Sequence, residues 1–268
     1  MKEVIVKDLT FSYGNKIIFD TLTFDLEKGS FTTVLGNSGV GKSTLASILG
    51  GLLTHKGTIQ IGGTTLDKTH LSRIRKRMGF VLDSSPFYFT GETILQDWIS
   101  LLQNLDMKQE EIRQRTEEIG FLFGLQKYYH VPFCQLNSSK KALVRLAFSL
   151  LHKPHILILD AVFREMDEKD KKKAFAVLKK WNQEKGMLIL AFTNDVEEAL
   201  QGKEIMVLEN THLLYKGPKS LLYQEEKKLT EIGIGLPFMV DLSHRLSYYG
   251  LVDKPILKMR DMVEVLWK

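Results

Sequence analysis

A single cysteine, Cys134, stands among 268 residues. No internal disulfide can brace the fold, in keeping with a reducing compartment. Long apolar runs are missing as well. Stretches such as Met187 to Phe192 and Ile156 to Leu159 fall far short of the ~20 residues that cross a bilayer, so no membrane span is expected. The opening stretch MKEVIVKDLTFSY alternates like a strand and lacks the apolar core of a secretory signal, so a cytoplasmic location is expected. Neither an internal repeat nor a low-complexity segment interrupts the chain. Hydrophobic residues make up 44% and charged residues 26%, a balance that lets a chain of this length bury a full α/β core.

The charge balance is basic, with a net +5 concentrated in RIRKR (Arg73 to Arg77) and KDKKKAFAVLKK (Lys169 to Lys180). In the second cluster Phe175 and Leu178 recur at helical spacing, so the lysines coat the outer face of an amphipathic helix. That reading is preferred to a nucleic-acid footprint, and an anionic membrane surface is a further neighbour such charge would suit.

Period-two and β-branched runs predict strands over residues 4–7, 17–26, 31–35, 58–61, 78–82, 156–160, 187–192, 204–208 and 212–215. Helical patterns predict helices over 42–49, 93–102, 108–125, 139–151, 168–184 and 195–200. Strands alternating with helices argue for a layered α/β domain. After about Gly217 the pattern changes to a tail with helical stretches, including LPFMVDLSHRLSYYG, Leu236 to Gly250.

The densest chemical signal is GNSGVGKST, Gly36 to Thr44. It fills every fixed position of G-x-x-x-x-G-K-[ST], and it follows the apolar strand FTTVL and precedes the helix-forming LASILGGL, the context that motif needs. Glycines 36, 39 and 41 allow the amides of Asn37, Ser38, Val40 and their neighbours to turn inward around phosphate oxygens. The helix beginning near Lys42 adds its positive end. Lys42 would reach the terminal phosphates, and the Ser43 hydroxyl, followed by Thr44, would bind Mg²⁺.

Three further features refine the reading. HILILD is a buried strand ending in Asp160, suited to hold magnesium. Tyr13, in FSYGNK, lies at a strand end where its ring could stack on a nucleobase, although an aromatic in a strand is more often core. QLNSSKKALVRLAFSLL lies directly before the Asp160 strand and opens a helix with small hydroxyl residues, another anion-binding end.

In this order and spacing, these residues resemble the ATP-binding subunits of ABC transporters, from Val4 to about Gly217. The resemblance implies a P-loop NTPase (RecA-like) α/β core with an antiparallel β subdomain and a helical subdomain over about 91–133. It divides the chain into a nucleotide-binding domain, 1–217, and a C-terminal extension, 218–268. FSYGNKIIFDTLTFDLEKGSF and the tail GIGLPFMVDLSHRLSYYG are similar to energy-coupling factor (ECF) ATPases. ATP and Mg²⁺ are the implied cofactors, and the implied location is the cytoplasmic face of the cell membrane. The implied partners are a second ATPase subunit and an integral membrane transporter subunit; a non-transport ABC clamp acting on nucleic acid is the alternative.

The departures from that family are chemical. In the family, ATP is sandwiched between one subunit's phosphate loop and its partner's LSGGQ loop. This chain reads Leu136, Asn137, Ser138, Ser139, Lys140 there. Serines in place of both glycines hold backbone amides further from a phosphate, and Lys140 adds a cation toward the partner's nucleotide. The carboxylate that would follow Asp160 and polarise water is Ala161, and the switch histidine is Asn194. The loop glutamine is Asp83, a candidate metal contact or a plain loop acid. Glu165 is a weak candidate for a displaced acid, and Asp167 ends the dimer-contact loop or simply caps a helix. Losing a general base costs about 10²- to 10⁴-fold in rate. The expectation is a nucleotide-binding half-site with its own hydrolysis weak or absent, working in a heterodimer with a more complete ATPase.

Overall fold

The computed structural model describes residues 1–82, 89, 91–220, 226–253, 256 and 259–267. Among them, β1 (Lys2–Tyr13), β2 (Lys16–Glu27), β4 (Lys56–Ile61) and β5 (Thr64–Thr65) form an antiparallel sheet in the order β2-β1-β4-β5. The second sheet runs β10 (His212–Pro218), β9 (Glu204–Glu209), β3 (Phe31–Leu35), β8 (Leu188–Thr193), β7 (Ile156–Asp160), β6 (Met78–Val81). It is parallel from β9 to β6, with β10 antiparallel at its edge.

The parallel strands are apolar at nearly every position because both of their faces are covered. Ile156 and Ile158 of β7, with Leu188 and Leu190 of β8, pack on one side against α1 (Lys42–Leu49) and the antiparallel sheet's Val4, Val6 and Leu26. The intervening Leu157, Leu159, Ile189 and Ala191 pack on the other side with the helices α3 (Ile94–Gln103), α4 (Gln109–Phe123), α5 (Ser138–Leu150) and α6 (Glu168–Lys185). α1 is thus held between two sheets, which sets the phosphate loop at its N-terminus on a rigid base. α2 (Leu71–Arg75) connects the antiparallel sheet to β6.

Local chemistry sets the helix ends. The Thr93 hydroxyl accepts from Gln96 N, while the Gln96 side chain accepts from Thr93 N, closing a capping box. α3 therefore starts one residue after the predicted Thr93. α4 and α6 stop at Gly124 and Gly186, both left-handed. β1 runs past the predicted Lys7 because its pairing shifts register beyond Val6, where Asp8 takes φ 52°, and such a bulge breaks the alternation that pattern reading relies on. β5 and α2 are too short to show a period.

Beyond α7 (Val196–Ala199) and the β9–β10 hairpin, the chain continues into α8 (Glu226–Glu231), α9 (Phe238–Ser247) and α10 (Met259–Leu266). Leu229 and Ile234 are buried in a third apolar cluster with Leu35, Val196, Ile205 and Val207. Phe238 N donates to Glu197 Oε1 at 2.8 Å. The start of the tail is therefore seated on the end of β3 and on α7, the two elements that flank the phosphate loop and residue 194.

Candidate nucleotide-binding site

At the end of β3 the backbone turns too tightly for side chains. A Cβ at Gly36 would stand 2.8 Å from Leu208 O, and one at Gly41, where φ is 105°, would stand 2.7 Å from Ile18 Cγ2. Lys42 Nζ donates to Gly36 O at 2.7 Å and Asn37 O at 2.8 Å, so the ammonium is folded over its own loop. Burial lowers its pKa, and the charge of Asp160 works in the opposite direction. The Asn37 side chain donates to Ile232 O of the tail, leaving its backbone to serve the loop.

Three segments far apart in sequence meet this loop because β3, β8 and β7 run parallel and end on one edge of the sheet, where α/β proteins place their ligands. The resulting cleft of about 370 Å³ is lined by Tyr13, Lys16, Gly39, Lys42, Ser43, Thr44, Asp160, Ala161, Arg164, Thr193 and Asn194 among others. Tyr13 is 52% exposed and edge-on to Phe11 at 4.8 Å, so it is a wall of the cleft and not a core aromatic. Asp160 is 3% exposed. The donor set suits magnesium: one carboxylate and one serine hydroxyl beside a phosphate cradle match an ion that keeps waters and takes most of its remaining ligands from phosphates. Among the described residues no group of three or more His, Cys, Asp or Glu side chains could hold a metal by itself.

Ala161 takes the left-handed conformation, φ 51° and ψ 19°, a region disfavoured for any residue with a Cβ. Its methyl lies on the cleft where the expected carboxylate would stand, and among the described residues Asp160 is the acidic side chain that lines the cleft. Asn194 is exposed on the same cleft. Behind it, Thr193 Oγ1 donates to the buried Glu198 at 2.6 Å, and Glu198 pairs with Lys171 Nζ at 2.8 Å. Burial tends to lower the Lys171 pKa, but the hydrogen bond and charge of Glu198 prevail and raise it.

The 136–140 segment does not line this cleft. Asn137 caps α5 by accepting Lys140 N at 2.8 Å. Ser139 is buried, donates to Asp170 Oδ2 at 2.6 Å and accepts from Asp167 N at 3.0 Å. Lys140 Nζ lies 2.6 Å from each oxygen of Asp170, so the added cation is drawn to the first turn of α6. Asn137 and Ser138 are left exposed.

Glu165 is paired with Arg145 of α5 and is absent from the cleft lining. The Asp167 carboxylate accepts Asp170 N at 2.8 Å as the α6 cap, and that N–H is the main reason its pKa is lowered. Asp83 lies outside the described residues. Lys16, Arg164 and Thr193 line the cleft although no motif singled them out. Lys16 was within reach of sequence reading, since it pairs with Tyr13 across the β1–β2 turn, whereas Arg164 carries no local signal.

A family model described as ABC transporter matches residues 19–164. The chain is 27% identical to an energy-coupling factor transporter ATP-binding protein, EcfA1, of Lacticaseibacillus paracasei, covering 98% of this chain and 96% of that one. It is 26% identical to the EcfA1 of Geobacillus kaustophilus, covering 98% and 95%. Among solved structures, an ATP-binding cassette in a dimeric, post-hydrolysis state bound to ADP and Pi superimposes with a TM-score of 0.73 at 26% identity, covering 81% of this chain and 98% of that one. cbiO1 of Clostridium perfringens, part of the ABC transporter complex cbiONQ, shares the fold with a TM-score of 0.77 at 21% identity, covering 92% and 99%.

Proposed function

The chain belongs to the ABC transporter family, and from that premise we propose that it is an ATP-binding subunit of an ECF-type membrane transporter whose own site binds Mg·ATP without cutting it readily. In this reading residues 1–217 are the nucleotide-binding domain and 218–268 the extension. Similarity to ATP-binding proteins of energy-coupling factor transporters over nearly the whole chain supports it. The observation that carries the silent-site part is Ala161: the cradle, Lys42, Ser43 and Asp160 are assembled around a cleft in which a methyl group stands where water would be activated. An alanine accepts no proton, and Asn194 cannot become an imidazolium. A homodimer would contain two such sites, so a heterodimer with a complete ATPase, beneath integral membrane subunits at the cytoplasmic face, accounts for turnover. Among the described residues no helix is long and apolar enough to cross a membrane.

A nucleic-acid clamp has less support, because the basic clusters serve the fold. Arg75 donates to Gly50 O and Gly51 O at the end of α1, and Arg77 pairs with Glu3. On α6, Lys171 pairs with Glu198, Lys173 donates to Phe123 O and Lys179 to Gln201 Oε1.

The test is calorimetric titration of Mg·ATP into the purified chain and into Lys42→Ala, with turnover measured alongside. Wild type is expected to bind with little turnover and Lys42→Ala to bind at least about ten-fold more weakly, the scale of one charge-assisted hydrogen bond. Equal affinities would sink the nucleotide assignment. Turnover at the rate of a complete ABC ATPase by the chain alone, removed by Lys42→Ala, would sink the silent site.

A further inference from the structure

The phosphate loop is tied to the C-terminal tail by one of its own side chains. Asn37 Nδ2 donates to Ile232 O at 2.5 Å, across 195 residues of sequence. That carbonyl is held from both sides. α8 is closed by a turn in which Gly233 takes φ 75°, Gly233 N donates to Thr230 O at 3.0 Å and Ile234 N to Leu229 O at 2.8 Å. Leu229 and Ile234 are 3% and 5% exposed and pack in one cluster with Leu35, the residue before Gly36. Within the loop Asn37 is a junction as well, since its own carbonyl accepts Val40 N at 3.3 Å and Lys42 Nζ at 2.8 Å. Between loop and tail lies a cavity of about 490 Å³, bordered by Asn37, Gly39, Ile232, Ile234 and Thr211 among others. The outer side of the loop therefore has room to shift, and the tie to Ile232 O works against that shift.

We infer that Asn37 is a positioning residue, through which the tail at Ile232 holds the phosphate loop in the shape that receives a nucleotide. The inference rests on the nucleotide-binding reading above and adds to it a contact that lies outside the cleft. Backbone amides bind a phosphate only when several N–H groups aim at one point together, so a loop ordered beforehand has less freedom to lose on binding. Lys42 cannot supply that order in the filled site. A phosphate competes for its ammonium with Gly36 O and Asn37 O, and when the ammonium turns to the phosphate the loop gives up both bonds, whereas the bond to Ile232 O does not involve Lys42. Linkage fixes a second property: if cutting the tie weakens nucleotide binding, bound nucleotide strengthens the tie by the same factor. The turn at 229–234 is then better ordered when the site is filled than when it is empty.

The experiment measures Mg·ATP affinity by calorimetry on the full chain as wild type, Asn37→Ala, Gly233→Ala, the double variant and Lys42→Ala. Asn37→Ala removes the donor. Gly233→Ala puts a Cβ on a left-handed residue and so disturbs the turn that presents Ile232 O, from a position that touches no part of the cleft. Both sites are exposed and the buried anchors Leu229 and Ile234 stay in place, so the variants are expected to fold. Each single variant is expected to weaken Mg·ATP by about two- to five-fold, the lower part of the range for a neutral hydrogen bond because water reaches this one. The double variant should bind like Asn37→Ala alone, since a tie already cut cannot be cut again. Hydrogen exchange gives the reciprocal reading: saturating Mg·ATP should slow the Gly233 and Ile234 amides in wild type and leave them unaffected in Asn37→Ala. Wild-type affinity in Asn37→Ala or in Gly233→Ala, single effects that simply add, or tail amides indifferent to Mg·ATP in the wild-type chain would each overturn the positioning role, and weak binding by Lys42→Ala in the same series would leave the nucleotide reading standing. Unchanged affinity in Lys42→Ala would remove that reading and this inference together.

Discussion

Replacing Lys140 with methionine tests whether the start of α5 is riveted to α6. Asp170 is 1% exposed and accepts Lys140 Nζ at 2.6 Å on each oxygen and Ser139 Oγ at 2.6 Å. Methionine keeps the length and most of the volume of the stem but strands the buried carboxylate with one hydroxyl. Removing one partner of a buried pair costs about 3–5 kcal/mol. The Lys140 side chain is 20% exposed, so water reaches the pair and screens it, and about 2–3 kcal/mol is the expected loss. For a chain of this size that lowers Tm by roughly 4–12 °C. Asp170→Asn keeps an acceptor and removes the charge, so it should cost less. The double variant should be more stable than the sum of the singles predicts, by about 1–3 kcal/mol. Urea unfolding followed by circular dichroism measures all four proteins. A Lys140→Met chain within about 0.5 kcal/mol of wild type, or singles that simply add, would refute the rivet and return Lys140 to the solvent side, where a partner's phosphate could draw it.

Two more outcomes follow from backbone strain and from burial. Ala161→Gly relieves a left-handed alanine and is expected to stabilise the chain by up to about 1 kcal/mol; a loss above that size in the same urea assay would contradict the strain. His152, whose Nε2 lies 3.0 Å from Met78 O, has its pKa lowered below 6.5 chiefly by burial, against the effect of the Met78 carbonyl. The unfolded chain therefore takes up the proton first as pH falls through 6.5, and stability drops on acidification. His152→Gln should flatten part of the loss between about pH 7.5 and 5.5, and an unchanged slope would exclude His152 as a contributor.

What the amino-acid order determined alone is whatever a few consecutive residues settle by their own backbone chemistry. Gly36 to Thr44 between an apolar strand and a helix specified a tight glycine turn with Lys42 folded over it, because its glycines and Lys42 act within nine residues. The strand ending in Asp160 and the methyl at Ala161 were legible for the same reason, as were the Asp167 cap and the approximate ends of most strands, whereas Thr93, read as the first helical residue, caps α3 instead. Only the tertiary structure decided what the charged side chains do, because a long side chain takes its partner from whichever element packs beside it. Lys140, read as a cation for a partner's phosphate, is claimed by Asp170 thirty residues on. Glu165, a possible acid by position, is claimed by Arg145. Arg164 and Lys16 reach one cleft because parallel β3, β8 and β7 end on the same edge and the β1–β2 turn closes over it. The tail, set apart in sequence by a change of pattern, buries Leu229 and Ile234 against Leu35 at the root of the phosphate loop: an apolar side chain is stabilised by the surface it covers, and sequence periodicity shows which face is apolar without showing what will cover it.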